Sequence, residues 1–263
     1  MKKIIAILLA MMLVLGIAGC AAAPAEEPSA APAEESSAAA EVSEDAAEEE
    51  TAEADVAVMT HDEFDAAAID DEVVVETCVQ ATQGWWYDDE AGHGKITVYA
   101  QDADGAYFIY ELKCDEADAE KFVPGAKIRV TGYKAEWSGE IEIVDATFEF
   151  VDGDKFIAEP VDYTDLLGKD ELIEHQNEYV AFKGLTVKCI AYKNEEVGND
   201  IYVTVSKDGA DYDFCVESYL TGADTEVYKA VGELKEGDVI DVEGFLYWYE
   251  GVNTHLTAVA AAE

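Results

Sequence analysis

Beyond residue 57 the chain is written as short apolar runs, often alternating with polar residues, divided by Gly, Asp and Pro. That is the pattern of strands joined by tight turns. The first such set predicts strands at 73–81, 95–100, 106–112, 127–135 and 140–150. Asp104-Gly105 marks a hairpin between the second and third, and Ser138-Gly139 turns the fourth into the fifth. Thr60-His-Asp-Glu63 has capping-box spacing and predicts a short helix running to Ala68. A second short helix is expected over 115–122.

The second half repeats this order. A helical lead is expected at 164–175, then strands at 179–189, 200–206 and 210–216, a longer helical insert at 217–234, and strands at 239–248 and 252–259. The phrase Val123-Pro-Gly-Ala-Lys-Ile-Arg-Val-Thr-Gly132 has its counterpart in Leu234-Lys-Glu-Gly-Asp-Val-Ile-Asp-Val-Glu-Gly244. Glycines 125, 132 and 139 recur at 237, 244 and 251, a constant offset of 112, whereas Asp104-Gly105 recurs as Asp208-Gly209 at an offset of 104. The change in offset places an insertion between these motifs in the second copy. The segment at Phe182-Lys-Gly184 takes the part of Val75-Glu-Thr77. Self-similarity of this kind identifies a tandem duplication, with units at 58–153 and 160–262.

Five strands with a helix between the third and fourth is the order of the OB-fold, a small Greek-key barrel. The expected fold is mainly β: two tandem five-stranded OB-fold-like barrels, each with short helices. With its Pro-Gly-Ala-Lys-Ile-Arg-Val-Thr-Gly phrase after an Asp-Gly hairpin, the chain resembles bacterial extracytoplasmic OB-fold domains. It also looks like lipoproteins of anaerobic Gram-positive bacteria that carry two such domains behind an acidic linker. The resemblance covers most of 58–262 and implies a fold rather than an activity, because OB barrels host many unrelated functions.

The N-terminal segment reads differently. Met1-Lys2-Lys3 is followed by an apolar run from Ile4 to Leu15 and then by Gly16-Ile17-Ala18-Gly19-Cys20. A basic start, an apolar run and small residues before a cleavage point define an export signal, here 1–19. The run is short for a membrane span. Cys20 directly after Ala-Gly resembles the bacterial lipobox, which implies diacylglyceryl and palmitate-type lipidation at Cys20 and an extracytoplasmic, lipid-anchored location. Residues 20–57 are almost all Ala, Glu, Ser and Pro, with no aromatic residue, and are expected to form a disordered, self-repelling acidic tether.

Formal net charge is −43. Residues 58–263 alone hold 47 acidic residues against 14 basic ones, and Arg129 is the only arginine. Phosphate-backbone binding draws on Lys and Arg, so nucleic acid is expected not to be a partner, and a neutral or cationic ligand is favoured. None of the four histidines, His61, His93, His175 and His255, sits in an HExxH arrangement, and there is no GxSxG or phosphate loop. No catalytic set is expected. Cys78, Cys114, Cys189 and Cys215 show no CxxC spacing, leaving buried thiols or one disulfide per half as alternatives.

The aromatic residues carry more information. Trp85, Trp86 and Tyr87 fall between the first two strands of copy one, and Trp137 beside its last turn. Tyr247, Trp248 and Tyr249 lie beside the matching turn of copy two. These loops flank the ligand face of an OB barrel, so all seven are candidate ligand-binding residues, with Trp85, Trp86 and Trp137 expected on one surface. Core packing is the competing reading for Trp248 and for one of Trp85 and Trp86. A weak calcium site is a second candidate, with Asp88, Asp89, Asp102 and Asp104 as oxygen donors, although no segment completes an EF-hand. Otherwise no cofactor is expected. The function these features suggest is a membrane-tethered binding or interaction lipoprotein for a glycan, peptide or protein. The alternatives are a divalent-cation binder or a non-catalytic subunit of a cell-envelope enzyme.

Overall fold

The computed structural model describes residues 57–262. The export signal, Cys20 and nearly all of the acidic tether lie outside the described residues. Among the described residues twelve strands are formed. The first half contributes β1 (Glu72–Thr82), β2 (Trp86–Asp88), β3 (His93–Gln101), β4 (Ala106–Lys113), β5 (Lys127–Trp137) and β6 (Glu140–Phe150). The second contributes β7 (Val161–Asp162), β8 (Tyr179–Tyr192), β9 (Ile201–Lys207), β10 (Ala210–Val216), β11 (Val239–Phe245) and β12 (His255–Ala261). Helix α1 (His61–Ala66) precedes β1, α2 (Glu116–Ala119) follows β4, and α3 (Glu226–Glu233) follows β10.

Each half closes on itself. β1 pairs antiparallel with both β3 and β5, and β4 pairs parallel with β6, so the ring runs β1-β3-β4-β6-β5 and returns to β1. β8, β9, β10, β12 and β11 repeat that ring, with β10 and β12 as the parallel pair. Two OB-like Greek-key barrels in tandem are therefore the fold. Register confirms the internal equivalence. Val75 lies opposite Val130 and Phe182 opposite Val242; Val130 and Val242 are related by the offset of 112 that relates the glycines, and Val75 and Phe182 by 107.

Alternation sends one face of each ring strand inward. Val73, Val75, Ile96, Val98, Ile109, Ile128, Val130 and Ile143 fill the first barrel. Phe182, Leu185, Val203, Val205, Phe214, Ile240 and Leu256 fill the second. The capping box at Thr60 forms as expected, and Phe64 plugs the first barrel from α1. α1 stops at Ala66, where the buried Lys134 ammonium takes the carbonyls of Phe64, Asp65 and Ala67.

The repeated glycines mark sites of close approach. Register shifts beside Gly132 and at Gly244, where the fourth strand of each barrel bulges. A β-carbon on Gly132 would lie 2.8 Å from the Val144 carbonyl oxygen, and one on Gly244 would collide with the carbonyl oxygen of His255.

Several boundaries differ from the sequence reading. The helical lead of copy two is a pair of 3-10 turns, Thr164–Leu166 and Asp170–His175. Within 217–234 only Glu226–Glu233 is α-helical. β11 ends at Phe245 and β12 begins at His255, because 246–254 leaves the ladder to meet the first barrel. The segment between the barrels is pinned to the first: Gln80 donates to the Phe156 carbonyl at 3.1 Å and accepts the Ala158 N–H at 2.9 Å. Cys78, Cys114 and Cys215 are buried free thiols, so neither half is closed by its own disulfide.

Gly244→Ala should cost about 1–3 kcal/mol in urea unfolding, because the added methyl is forced into a backbone contact. Gly84, whose β-carbon would meet nothing within 4 Å, is the control. Gly84→Ala should stay within about 0.5 kcal/mol of the parent.

Candidate functional site

OB barrels commonly present ligands to the outer face of their second and third strands, flanked by the one–two and four–five loops. In the first barrel that face belongs to β3 and β4, and the second barrel covers it. Tyr99 and Phe108 project outward from these strands yet are almost wholly buried. Phe245 stacks on Tyr99 with ring centroids 4.6 Å apart, and Tyr247 meets Phe108 edge-on at 5.2 Å. Such aromatic pairs contribute about 0.5–1.5 kcal/mol each beyond their buried area. The Tyr99 hydroxyl and His255 Nδ1 are hydrogen-bonded at 2.6 Å, and Gln83 donates to the same hydroxyl at 3.0 Å. Burial holds the His255 imidazole neutral and pulls its pKa down to about 3.

The β5–β6 hairpin is gripped at the same seam. Glu140 accepts the Trp248 N–H at 2.7 Å, Ser138 accepts the Glu250 N–H at 2.7 Å, and Gln176 donates to the Gly139 carbonyl at 2.8 Å. The β1–β2 connection joins in through the Gly84 N–H, which donates to the Tyr219 carbonyl at 3.2 Å.

This seam sorts the seven aromatic candidates. Trp85 is a correction: its ring packs against the core of the first barrel and its indole N–H donates to the Cys114 carbonyl at 2.8 Å. Gly94 is glycine because a β-carbon there would strike that indole. Trp248 packs against the core of the second barrel, and Tyr247 belongs to the seam. Both are partly buried. The other four keep open surface: Trp86 is 43% exposed, Tyr87 53%, Trp137 45% and Tyr249 48%.

The four do not form one surface, a second correction. Trp86 lies opposite Lys95, which lies opposite Lys113 at the far end of β4. Trp137 lies opposite Glu140, two residues before Glu142, the partner of Phe108 near the start of β4. The loops after β1 and after β5 thus leave the barrel toward opposite ends of β4, about 20 Å apart at strand rise. The cause is that β1 and β5 run antiparallel.

Two separate platforms result. On the first, Lys95 bridges Asp88 and Glu111, both at 2.7 Å, beneath the Trp86 ring, whose centroid is 5.2 Å from the ammonium. The Lys95 bond, with the N–H groups of Ala91 and Glu90, lowers the Asp88 carboxyl to about 2. Glu111 holds a left-handed backbone, φ 46°, within β4. Strain of this kind persists only where neighbours enforce it, and the Thr97 hydroxyl accepts the Glu111 N–H at 3.1 Å. Sequence reasoning missed Lys95, Glu111 and strand β2, which carried no signal apart from Trp86-Tyr87 itself. On the second platform, Trp137 and Tyr249 sit on hairpins joined by the Glu250–Ser138 hydrogen bond, one from each barrel.

The calcium expectation is corrected. Asp88 Oδ1 accepts the N–H groups of Glu90 and Ala91, and Asp102 Oδ1 accepts those of Asp104 and Gly105, so both cap their own turns. Among the described residues no group of three His, Cys, Asp or Glu is placed to hold a metal ion. The histidines keep separate company: His61 with Asp65, His175 with Glu178, and His255 in the seam.

No protein-family model and no curated protein matches the sequence. Among solved structures the chain is similar to "Crystal structure of p204 HINb domain", at 14% identity and TM-score 0.34, over 74% of this chain and 99% of that one. It is similar to "Structure of murine DNA binding protein bound with ds DNA", at 12% identity and TM-score 0.37, over 73% and 100%. It is also similar to "Crystal structure of Ifi202 HINa domain in complex with 20bp dsDNA", at 10% identity and TM-score 0.33, over 75% and 98%. Two of these titles name double-stranded DNA, which stands against the expectation that nucleic acid is not a partner, and that expectation is withdrawn. The physical flaw lay in reading a surface from a sum, because phosphate contacts are made by local groups and whole-chain charge does not report their placement.

Trp85→Ala should cost about 3 kcal/mol in unfolding free energy, as removal of a packed aromatic does. Trp86→Ala should change it by less than about 0.5 kcal/mol. Acrylamide should quench Trp86 and Trp137 and largely spare Trp85 and Trp248. Equal quenching of all four indoles would contradict the assignment.

Proposed function

We propose that this protein is a membrane-tethered extracytoplasmic binding lipoprotein with no catalysis of its own. The lipid on Cys20 anchors it, the acidic segment to residue 57 holds it off the surface, and the paired barrels present aromatic platforms to a partner. The observation that supports this most directly is the exposure of Trp86, Tyr87, Trp137 and Tyr249 on frameworks fixed by ion pairs and hairpin hydrogen bonds. Exposed aromatic clusters on an otherwise packed protein mark interaction surfaces. A flat ring with polar edges suits a neutral sugar ring, a peptide side chain or the stem of a lysine.

The seam adds a second support. Barrel two already occupies the β3–β4 face of barrel one, so binding falls to the two rims rather than to the sheet.

Two measurements test the reading. Detergent-phase partitioning should carry the processed wild-type protein into the detergent, and Cys20→Ala should move it to the aqueous phase. For the ligand, titrate the protein with a neutral oligosaccharide, a lysine-rich peptide and a short DNA duplex, following tryptophan fluorescence. Trp86→Ala and Trp137→Ala should each weaken binding of the oligosaccharide or the peptide by about tenfold, the effect of losing an aromatic anchor. Unchanged binding of every probe in both variants would sink the proposal.

A further inference from the structure

We propose that the seating of barrel two on barrel one is linked to protonation of Glu140 and Glu142, so that rising pH loosens the seam and uncovers the Tyr99–Phe108 face. Glu140 is 0% exposed and Glu142 8%. Both point outward from β6 of the first barrel into the contact with 247–255 of the second. Glu140 Oε2 accepts the Trp248 N–H, while Oε1 has no hydrogen-bond partner. Among the described residues no ion pair reaches either carboxyl; Lys95, which pairs with Glu111, is committed to that residue and to Asp88. A buried carboxylate with neither a cation nor a full set of donors is far costlier than the neutral acid.

The groups facing these carboxyls offer little relief. The Asn177 amide, which donates to the Ile141 carbonyl at 3.1 Å, eases the charge on Glu140, while Tyr110, Tyr247 and Glu111 surround Glu142. Burial pushes Glu140 well above the usual carboxylate range, and Glu142 assists. Burial first and then Glu111 raise Glu142 to about 7. Across the seam, burial and Asp200 raise Glu217 to about 7, against the N–H groups of Leu220 and Tyr219 and the Lys193 charge. Tyr99 and Cys215, both buried there, are raised further from ionisation.

The signs follow from linkage. A carboxyl raised in the docked state favours docking fully below its ordinary value of 4.5, and this contribution is lost as pH climbs through the docked value. His255 acts in reverse. Its value falls from 6.5 to about 3 on docking, so its contribution is present above 6.5 and lost as pH falls toward 3. Above about 6.5 the histidine no longer changes charge, and the carboxyls alone set the slope, Glu142 and Glu217 until about 7 and Glu140 beyond it. Each carboxyl that ionises only on opening loosens docking about tenfold per pH unit. Each barrel has its own closed core, so opening the seam leaves both folds intact.

Hydrogen exchange of the full chain at pH 6 and pH 8.5, corrected for intrinsic rates, tests this. Protection of the amides hydrogen-bonded across the seam, those of Gly84, Ile141, Trp248 and Glu250, should fall at least tenfold at the higher pH, while 73–79, inside barrel one, keeps its protection. Glu140→Gln with Glu142→Gln should shrink the difference at least severalfold, leaving the part that Glu217 contributes. Should that pair perturb the seam at both pH values, Glu142→Gln alone, whose carboxyl accepts no hydrogen bond from a named donor, should still shrink the slope. Equal protection of the wild-type seam at both pH values would overturn the proposal, as would an undiminished loss in the glutamine variants.

Discussion

The stack of Phe245 on Tyr99, with the Tyr99 hydroxyl tied to His255, lies where the two barrels meet. Most of the molecule's other assignments depend on it. It removes the β3–β4 sheet from solvent and draws 246–254 out of the second barrel's ladder. It also brings the two fourth-to-fifth-strand hairpins together, so that Trp137 and Tyr249 become neighbours across a domain boundary. Tyr247 and Trp248 are consumed by the same contact.

Duplication supplied two copies of one barrel, and the seam makes them unequal. The first copy bears Tyr99 and Phe108 on its exposed-by-default sheet, and the second bears Tyr202, Thr204, Asp211 and Asp213 on the corresponding strands. An apolar face needs cover; one carrying two aspartates does not. What the copies still share is backbone geometry, kept by Gly132 and Gly244 at points where a strand passes too close to its neighbour for any β-carbon.

Charge is partitioned just as unequally. Most carboxylates are solvated, and the few cations are spent in local frameworks such as Lys95 with Asp88 and Glu111, or Arg129 with Glu76 and Glu149. Glu140 and Glu142 are the exceptions, placed in a seam with no cation to meet them. Repulsion on the outside keeps the protein soluble. A carboxyl on the inside couples the seam to the proton concentration.

The sequence by itself determined the strands, the Asp-Gly hairpin, the capping box at Thr60, the repeat and hence the pair of barrels. These are local signals: alternation of period two, turn residues that tolerate unusual backbone, and a fixed offset between copies. It also singled out the loop aromatics, but not their fates. Alternation shows that two residues point to opposite sides of a strand; it does not show which side another domain will cover. Trp85 and Trp86 are adjacent and chemically identical, yet one is hydrogen-bonded against the core and the other lies over Lys95. The opposite exits of the two loops, the strained Glu111 and the burial of Glu140 and Glu142 were likewise invisible, because each arises from contacts between residues far apart in sequence. Only the tertiary structure decided them, because a side chain's environment is set by what packs against it, and that is a property of the assembled barrels.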